Sequence, residues 1–169
     1  MIGDRWGVED AEVAARYGCD DLVPMPVLAA WRGVSVAAPA EVVWRWVGQV
    51  RVAPYSYDWV DNRGHRSPRT DLALDPPVVG EPFTRSGGRP LGRVLAVDPG
   101  CELTATVMGA VLSYRVTPVG ERETRLVLKV VMARGRLLAP FVSVGDLVMA
   151  RRQLLTFKEL AEGSTPAAG

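Results

Sequence analysis

A chain of 169 residues with 48% apolar and 23% charged side chains has the make-up of one globular domain, which at this size buries roughly 70% of its unfolded surface. That composition excludes disordered and collagen-like classes. Twenty basic against nineteen acidic side chains leave a net charge of +1, without the Lys/Arg run that a nucleic-acid partner would need.

The first residues, "MIGDRWGVEDAEVAARYG", carry acids where a signal peptide needs a basic start and an apolar run. No stretch reaches the roughly eighteen apolar residues of a membrane span. The expectation is a cytoplasmic protein, monomer or homodimer, without membrane insertion. Residues 1–30 read as an arm packing on the domain, with one short helix in "DAEVAARYG" capped by Asp10 and stopped by Gly18. The domain proper then runs over 31–162. "WRGVSVAA" at 31–38 alternates Val34 and Val36 on one face and predicts the first strand. Pro39 suits a first helical position, and Val42, Val43, Trp46, Val47 and Val50 recur at helical spacing, so a helix of about eleven residues follows.

Next comes "PYSYDWVDNRGHRSPR", residues 54–69, dense in rings, arginines and acids. Ser56 as N-cap, Asp58 in the first turn and Gly64 as a stop predict a short second helix over 57–62. From 81 to 133, strand-like runs at 81–86, 91–97, 101–108, 110–118 and 123–133 are separated by "SGG", "DPG", "MG" and "VGERE", which is turn chemistry. Closely spaced strands with short turns imply an antiparallel meander. Apolar residues from Leu137 to Leu160 at mixed i+3 and i+4 intervals predict one long C-terminal helix, with Pro140 in its first turn. The tail 163–169 is expected to be flexible.

Strand, two short helices, antiparallel strands, long helix: this order describes an α+β helix-grip, a curved sheet of six or seven strands around its terminal helix. One helix is too narrow to fill the concavity, so an internal cavity is expected. The 54–69 segment is then a candidate mouth. In that reading Tyr55, Tyr57, Trp59 and Asn62 surround a ligand, while Arg66 and Arg69 grip a carboxylate or phosphate. His65 and Asp58 are the candidates for proton transfer. Phe141, Val144 and Val148 would line the pocket from the last helix.

The alternative for the same segment is a structural knot, with Tyr57 and Trp59 closing the core and an arginine paired to Asp58 or Asp61. In the sheet, Leu103, Ala105, Val107, Leu112, Tyr114 and Val116 alternate with Thr104, Thr106, Ser113 and Arg115. Burial cost favours the apolar set facing the helix. Cys19 and Cys101 lie far apart without metal-ligand spacing, a single histidine is present, and no phosphate-binding glycine loop opens a helix. No metal and no cofactor is expected.

"VSVAAPAEVVWRWVGQV" followed by "APYSYDWVDNRGHRSPR", with "WGVEDAEVAARYGCDDLVPMP" upstream, resembles a branch of the START-like (SRPBCC) superfamily that shares a Pro-Glu-Val-Trp helix and a "YSYDW" segment. The resemblance covers most of the chain and is densest over 31–69. It implies a Bet v 1-like helix-grip. Its functional implication is a small hydrophobic ligand, polyketide-, lipid- or isoprenoid-like, held internally; the alternative is a polyketide cyclase or dehydratase using the same cavity.

Overall fold

The computed structural model describes residues 4–133 and 139–165, with side chains described except at 60, 61 and 139–147. Its main sheet has six strands: β1 (Arg5–Trp6), β2 (Leu28–Val36), β5 (Arg93–Asp98), β6 (Glu102–Val107), β7 (Ala110–Gly120) and β8 (Glu123–Met132). They lie in the order β1-β2-β8-β7-β6-β5, antiparallel throughout except for the short β1, which runs parallel to β2. A separate hairpin pairs β3 (Thr84–Ser86) with β4 (Arg89–Leu91). The α+β helix-grip expected from the element order is what the chain forms.

The first strand starts three residues earlier than the alternation predicts, because Leu28 and Ala30 extend the buried face of Val34 and Val36. After it, α3 (Ala40–Gly48) buries Val42, Val43, Trp46 and Val47, and a 3-10 turn (Gln49–Arg51) completes the predicted span. Pro39 stands at the N-cap, one position before its expected place. The segment after it forms the short α4 (Asp58–Asp61), whose N-cap is Tyr57 and not Ser56. The predicted strand over 91–97 is divided between β4 and β5. Gly92, at φ +71°, breaks it where a Cβ would collide with the Thr106 carbonyl.

The single helix expected at 10–18 is two, α1 (Asp10–Ala14) and α2 (Gly18–Leu22). Glu12 starts the first by accepting the Glu9 N–H at 2.8 Å, and Asp20 starts the second by accepting the Tyr17 N–H at 2.9 Å. An acid three residues into each helix satisfies an otherwise orphan donor. Gly18 is therefore a beginning and not a stop. A Cβ there would lie 2.5 Å from Thr104 Oγ1, so glycine is what lets this backbone touch the sheet.

That contact places the arm on the outer face of the sheet. Tyr17, Cys19 and Val23 pack on Val127 and Val131. The Lys129 ammonium is 2.6 Å from Asp20 Oδ1 and lies over the rings of Tyr17 and Trp31, 5.2 and 4.9 Å from their centroids. Beneath the arm, Ser113 Oγ accepts the Cys19 N–H at 3.0 Å and meets Thr104 Oγ1 at 2.7 Å. Arg115 donates to Glu102 at 2.8 Å and sits over the Tyr17 ring. The hydroxyl set faces outward, fully partnered, and the apolar set faces inward, as the burial cost requires.

Inside, Leu103, Ala105, Leu112, Tyr114, Leu126, Leu128 and Val130 meet α5 (Ala139–Ser164) through Ala150, Leu154, Phe157 and Leu160. A run of ring contacts, Trp46 to Tyr55 to Phe157 to Tyr114 to Phe83, crosses this core with centroids 5.4 to 6.4 Å apart. Such pairs add about 0.5–1.5 kcal/mol each beyond area burial. The helix reaches Ser164, past the point at 163 where the tail was expected to begin, and 166–169 lie outside the described residues.

Candidate functional site

The sheet and α5 part at one end and leave a cavity of about 360 Å³. From the sheet, Val107, Ala110, Leu112, Tyr114, Leu128 and Val130 line it, with Met108 and Met132 beside them. The β3–β4 hairpin supplies Phe83, Thr84, Ser86 and Leu91. Met149, Ala150 and Gln153 come from α5, and Pro54 and Ser56 from the segment before α4. The volume lies within the roughly 300–1,000 Å³ of ordinary small-molecule sites, whose linings are likewise mostly apolar with few polar groups.

Two polar groups of the lining, Tyr114 and Gln153, are braced. Tyr114 donates its hydroxyl to Gln153 Oε1, and Gln153 Nε2 donates to the Pro54 carbonyl at 2.5 Å. This chain fixes the strand, the final helix and the 54–56 segment against one another. Thr84 is 5% exposed, and its Oγ1 has no hydrogen-bond partner among the described residues. Three methionines, Met108, Met132 and Met149, belong to the lining, and unbranched thioethers adapt to irregular apolar shapes.

The residues expected at the mouth sit elsewhere. Tyr55 is 1% exposed, and its hydroxyl is 2.6 Å from Gln49 Nε2. Burial pushes its phenol up to about 12. It is a core residue held at φ +57°. Asp58 accepts from Ser67 with both oxygens, the amide at 2.9 Å and the hydroxyl at 2.5 Å, and Ser67 Oγ in turn accepts the Tyr55 N–H at 3.2 Å. The carboxylate clamps the loop and does not line the cavity.

Asn62 is buried, donating to the His65 carbonyl at 2.6 Å and accepting the Gly87 N–H at 3.0 Å. Arg69 pairs with Glu159 of α5 at 2.6 Å. Tyr57 is half-buried, whereas Trp59 is 78% exposed and His65 and Arg66 are exposed. None of these eight residues belongs to the lining, and neither does Val148, which is half exposed while its neighbours Met149 and Ala150 face inward. Phe141 and Val144 lie outside the described side chains. The segment forms a knot at the border of the cavity, but not the one expected: Trp59 is exposed, Asp58 is held by Ser67 and not by an arginine, and only Pro54 and Ser56 reach the wall.

Among the lining residues that sequence reasoning passed over are Phe83, Leu91 and the methionines. For Phe83 and Leu91 the signal was the "SGG" turn, which folds 84–86 onto 89–91; the methionines, at the β6–β7 turn, the end of β8 and on α5, carried no such local signal. Among the described residues no cluster of His, Cys, Asp or Glu is arranged to hold a metal ion, and no helix is long and apolar enough to cross a membrane.

No protein-family model and no curated protein matches the chain. Solved structures do. Protein MLL2253 from Mesorhizobium loti is similar with a TM-score of 0.57 at 17% identity, over 82% of this chain and 99% of that one. Protein NE0264 from Nitrosomonas europaea follows with 0.52 at 14% identity, over 82% and 97%. The polyketide_cyc-like protein Cgl2372 from Corynebacterium glutamicum gives 0.49 at 16% identity, over 83% and 94%. At these identities the likeness concerns fold alone. A six-stranded sheet wrapped about a long terminal helix, with short helices after the first long strand, is the helix-grip arrangement, and it agrees in fold with the START-like resemblance read from the sequence.

Proposed function

We propose that this protein binds a small, largely apolar molecule, polyketide-, lipid- or isoprenoid-like, in the cavity between the sheet and α5. The observation that carries the reading is the cavity itself: about 360 Å³ walled by aliphatic, aromatic and methionine side chains. An empty apolar space of that kind is costly, because removed packing destabilises by about 24 cal/mol per Å³. A ligand that fills it recovers part of that cost. Asp58 and His65 stand outside the lining, which favours binding over acid–base catalysis. The free thiols of Cys19 and Cys101 suit a reducing compartment, and we place the protein in the cytoplasm.

The test is native mass spectrometry of protein purified from its own host, together with thermal shifts against a panel of lipids and polyketides. A filling ligand at a hundred times its dissociation constant adds about 2.7 kcal/mol, a shift of about 5–10 °C for a chain of this size. Val130→Phe, which fills the cavity from the sheet, removes the shift and leaves the fold intact. No co-purifying mass and no shift across the panel would rule the binding function out.

A further inference from the structure

The lip of the cavity carries uncommitted positive charge. In the β3–β4 hairpin Thr84 pairs with Leu91 and Ser86 with Arg89. Opposed residues share a face, and residues two apart return to it. Arg89 therefore stands on the face that Thr84, Ser86 and Leu91 turn to the cavity, one step nearer the hairpin tip. Arg63 reaches that tip from the segment after α4. Its Cδ lies 2.7 Å from where a Cβ on Gly87 would be, an approach that only a glycine allows. The Asn62–Gly87 hydrogen bond holds the two pieces together.

Arg63 and Arg89 are both exposed, and neither has an ion pair or hydrogen bond among the described residues. Five other arginines are engaged, Arg45 with Asp71, Arg51 with Glu81, Arg69 with Glu159, Arg115 with Glu102 and Arg125 with Glu12, whereas Arg66, Arg93 and Arg152 are exposed and unpaired among the described residues but do not belong to the hairpin tip. Two free guanidinium groups thus flank one hairpin tip, above an apolar interior. A forked, permanently charged donor is matched to a carboxylate or a phosphate.

Building on the binding function above, we propose that the ligand is an amphipathic anion. Its hydrocarbon body lies among Leu112, Leu128 and Val130, and its carboxylate or phosphate head sits at the lip between Arg89 and Arg63. The apolar wall supplies affinity, and the two arginines select for the charged end.

The experiment is calorimetric titration of the full chain with decanoate, decyl phosphate and decanol, each below its micelle-forming concentration, with acetate and inorganic phosphate as isolated headgroups. Hydrogen bonds to a charged group are worth enough that wild type should bind at least one of the two anions about tenfold tighter than decanol. That preference should shrink as salt is added. The double variant Arg63→Gln/Arg89→Gln, two surface changes, should lose the preference while keeping its melting temperature and its affinity for decanol. Which anion binds better identifies the head, and either ranking supports the proposal. Equal affinity for the alcohol and both anions overturns it and leaves the cavity function standing, as does a double variant that retains the full preference. Binding of none of the three chains overturns both.

Discussion

Asn62 ties Gly87 to His65: its side-chain oxygen accepts the Gly87 N–H at 3.0 Å, and its side-chain nitrogen donates to the His65 carbonyl at 2.6 Å. One buried amide thereby joins the loop after α4 to the hairpin that walls the cavity. Asn62→Ala leaves both backbone groups without their partner, at about 1–3 kcal/mol each when water cannot reach them. We expect a loss of about 2–3 kcal/mol in urea unfolding and faster proteolytic cleavage at 86–89. A loss under about 0.5 kcal/mol would mean that the hairpin is held by other contacts.

Met108 occupies a left-handed backbone position, φ +50°, at the turn between β6 and β7, followed by Gly109 at φ +84°. Its side chain is 84% exposed. Left-handed geometry costs a non-glycine residue about 1–2 kcal/mol, and two-residue hairpins prefer Asn-Gly there. Met108→Asn should therefore raise stability by about 0.5–1 kcal/mol in denaturant titrations while weakening the binding of an apolar ligand. A fall in stability would show that the thioether is packed in solution.

Glu12 faces Arg125, with the guanidinium Nε 2.7 Å from its carboxylate. That hydrogen bond holds the Glu12 carboxyl below its ordinary value of 4.5. The folded form stays ionised at pH values where the unfolded form is already protonated. The stabilisation is complete above pH 4.5 and fades as the pH falls through the lower folded value. Stability measured between pH 5 and pH 3 should drop, with Glu12 contributing a slope of at most about 1.4 kcal/mol per pH unit. Glu12→Gln should flatten the curve there and lower the plateau above it. An unchanged slope would assign acid sensitivity to other carboxylates.

Much of this fold can be read from local pattern because strand alternation and helical spacing are local. Leu112 and Tyr114 were expected inward against Ser113 and Arg115 outward, and they lie so. The site was less legible because its walls are chosen by contacts distant in sequence. Asp58 looks like a helix-start acid and, in a rim, like a catalyst, but Ser67, nine residues later, takes both its oxygens. Tyr55 and Trp59 are four residues apart and chemically alike, yet one is 1% exposed and the other 78%. Tyr55 stands at a left-handed backbone position with its ring between Trp46 and Phe157, whereas Trp59 lies on α4 facing solvent. Val148 and Met149 differ by a rotation of one residue on α5, and helical spacing alone did not reveal which would face the hollow.

The arm, held by Lys129, covers the outer face of β8: Leu126 and Leu128 are buried inward, Val127 and Val131 outward beneath Tyr17 and Cys19. Were 17–23 lifted away, Val127 and Val131 would be bared to water on either side of Lys129 on the outer sheet face. The arm therefore keeps these valines out of water on the sheet face opposite the cavity.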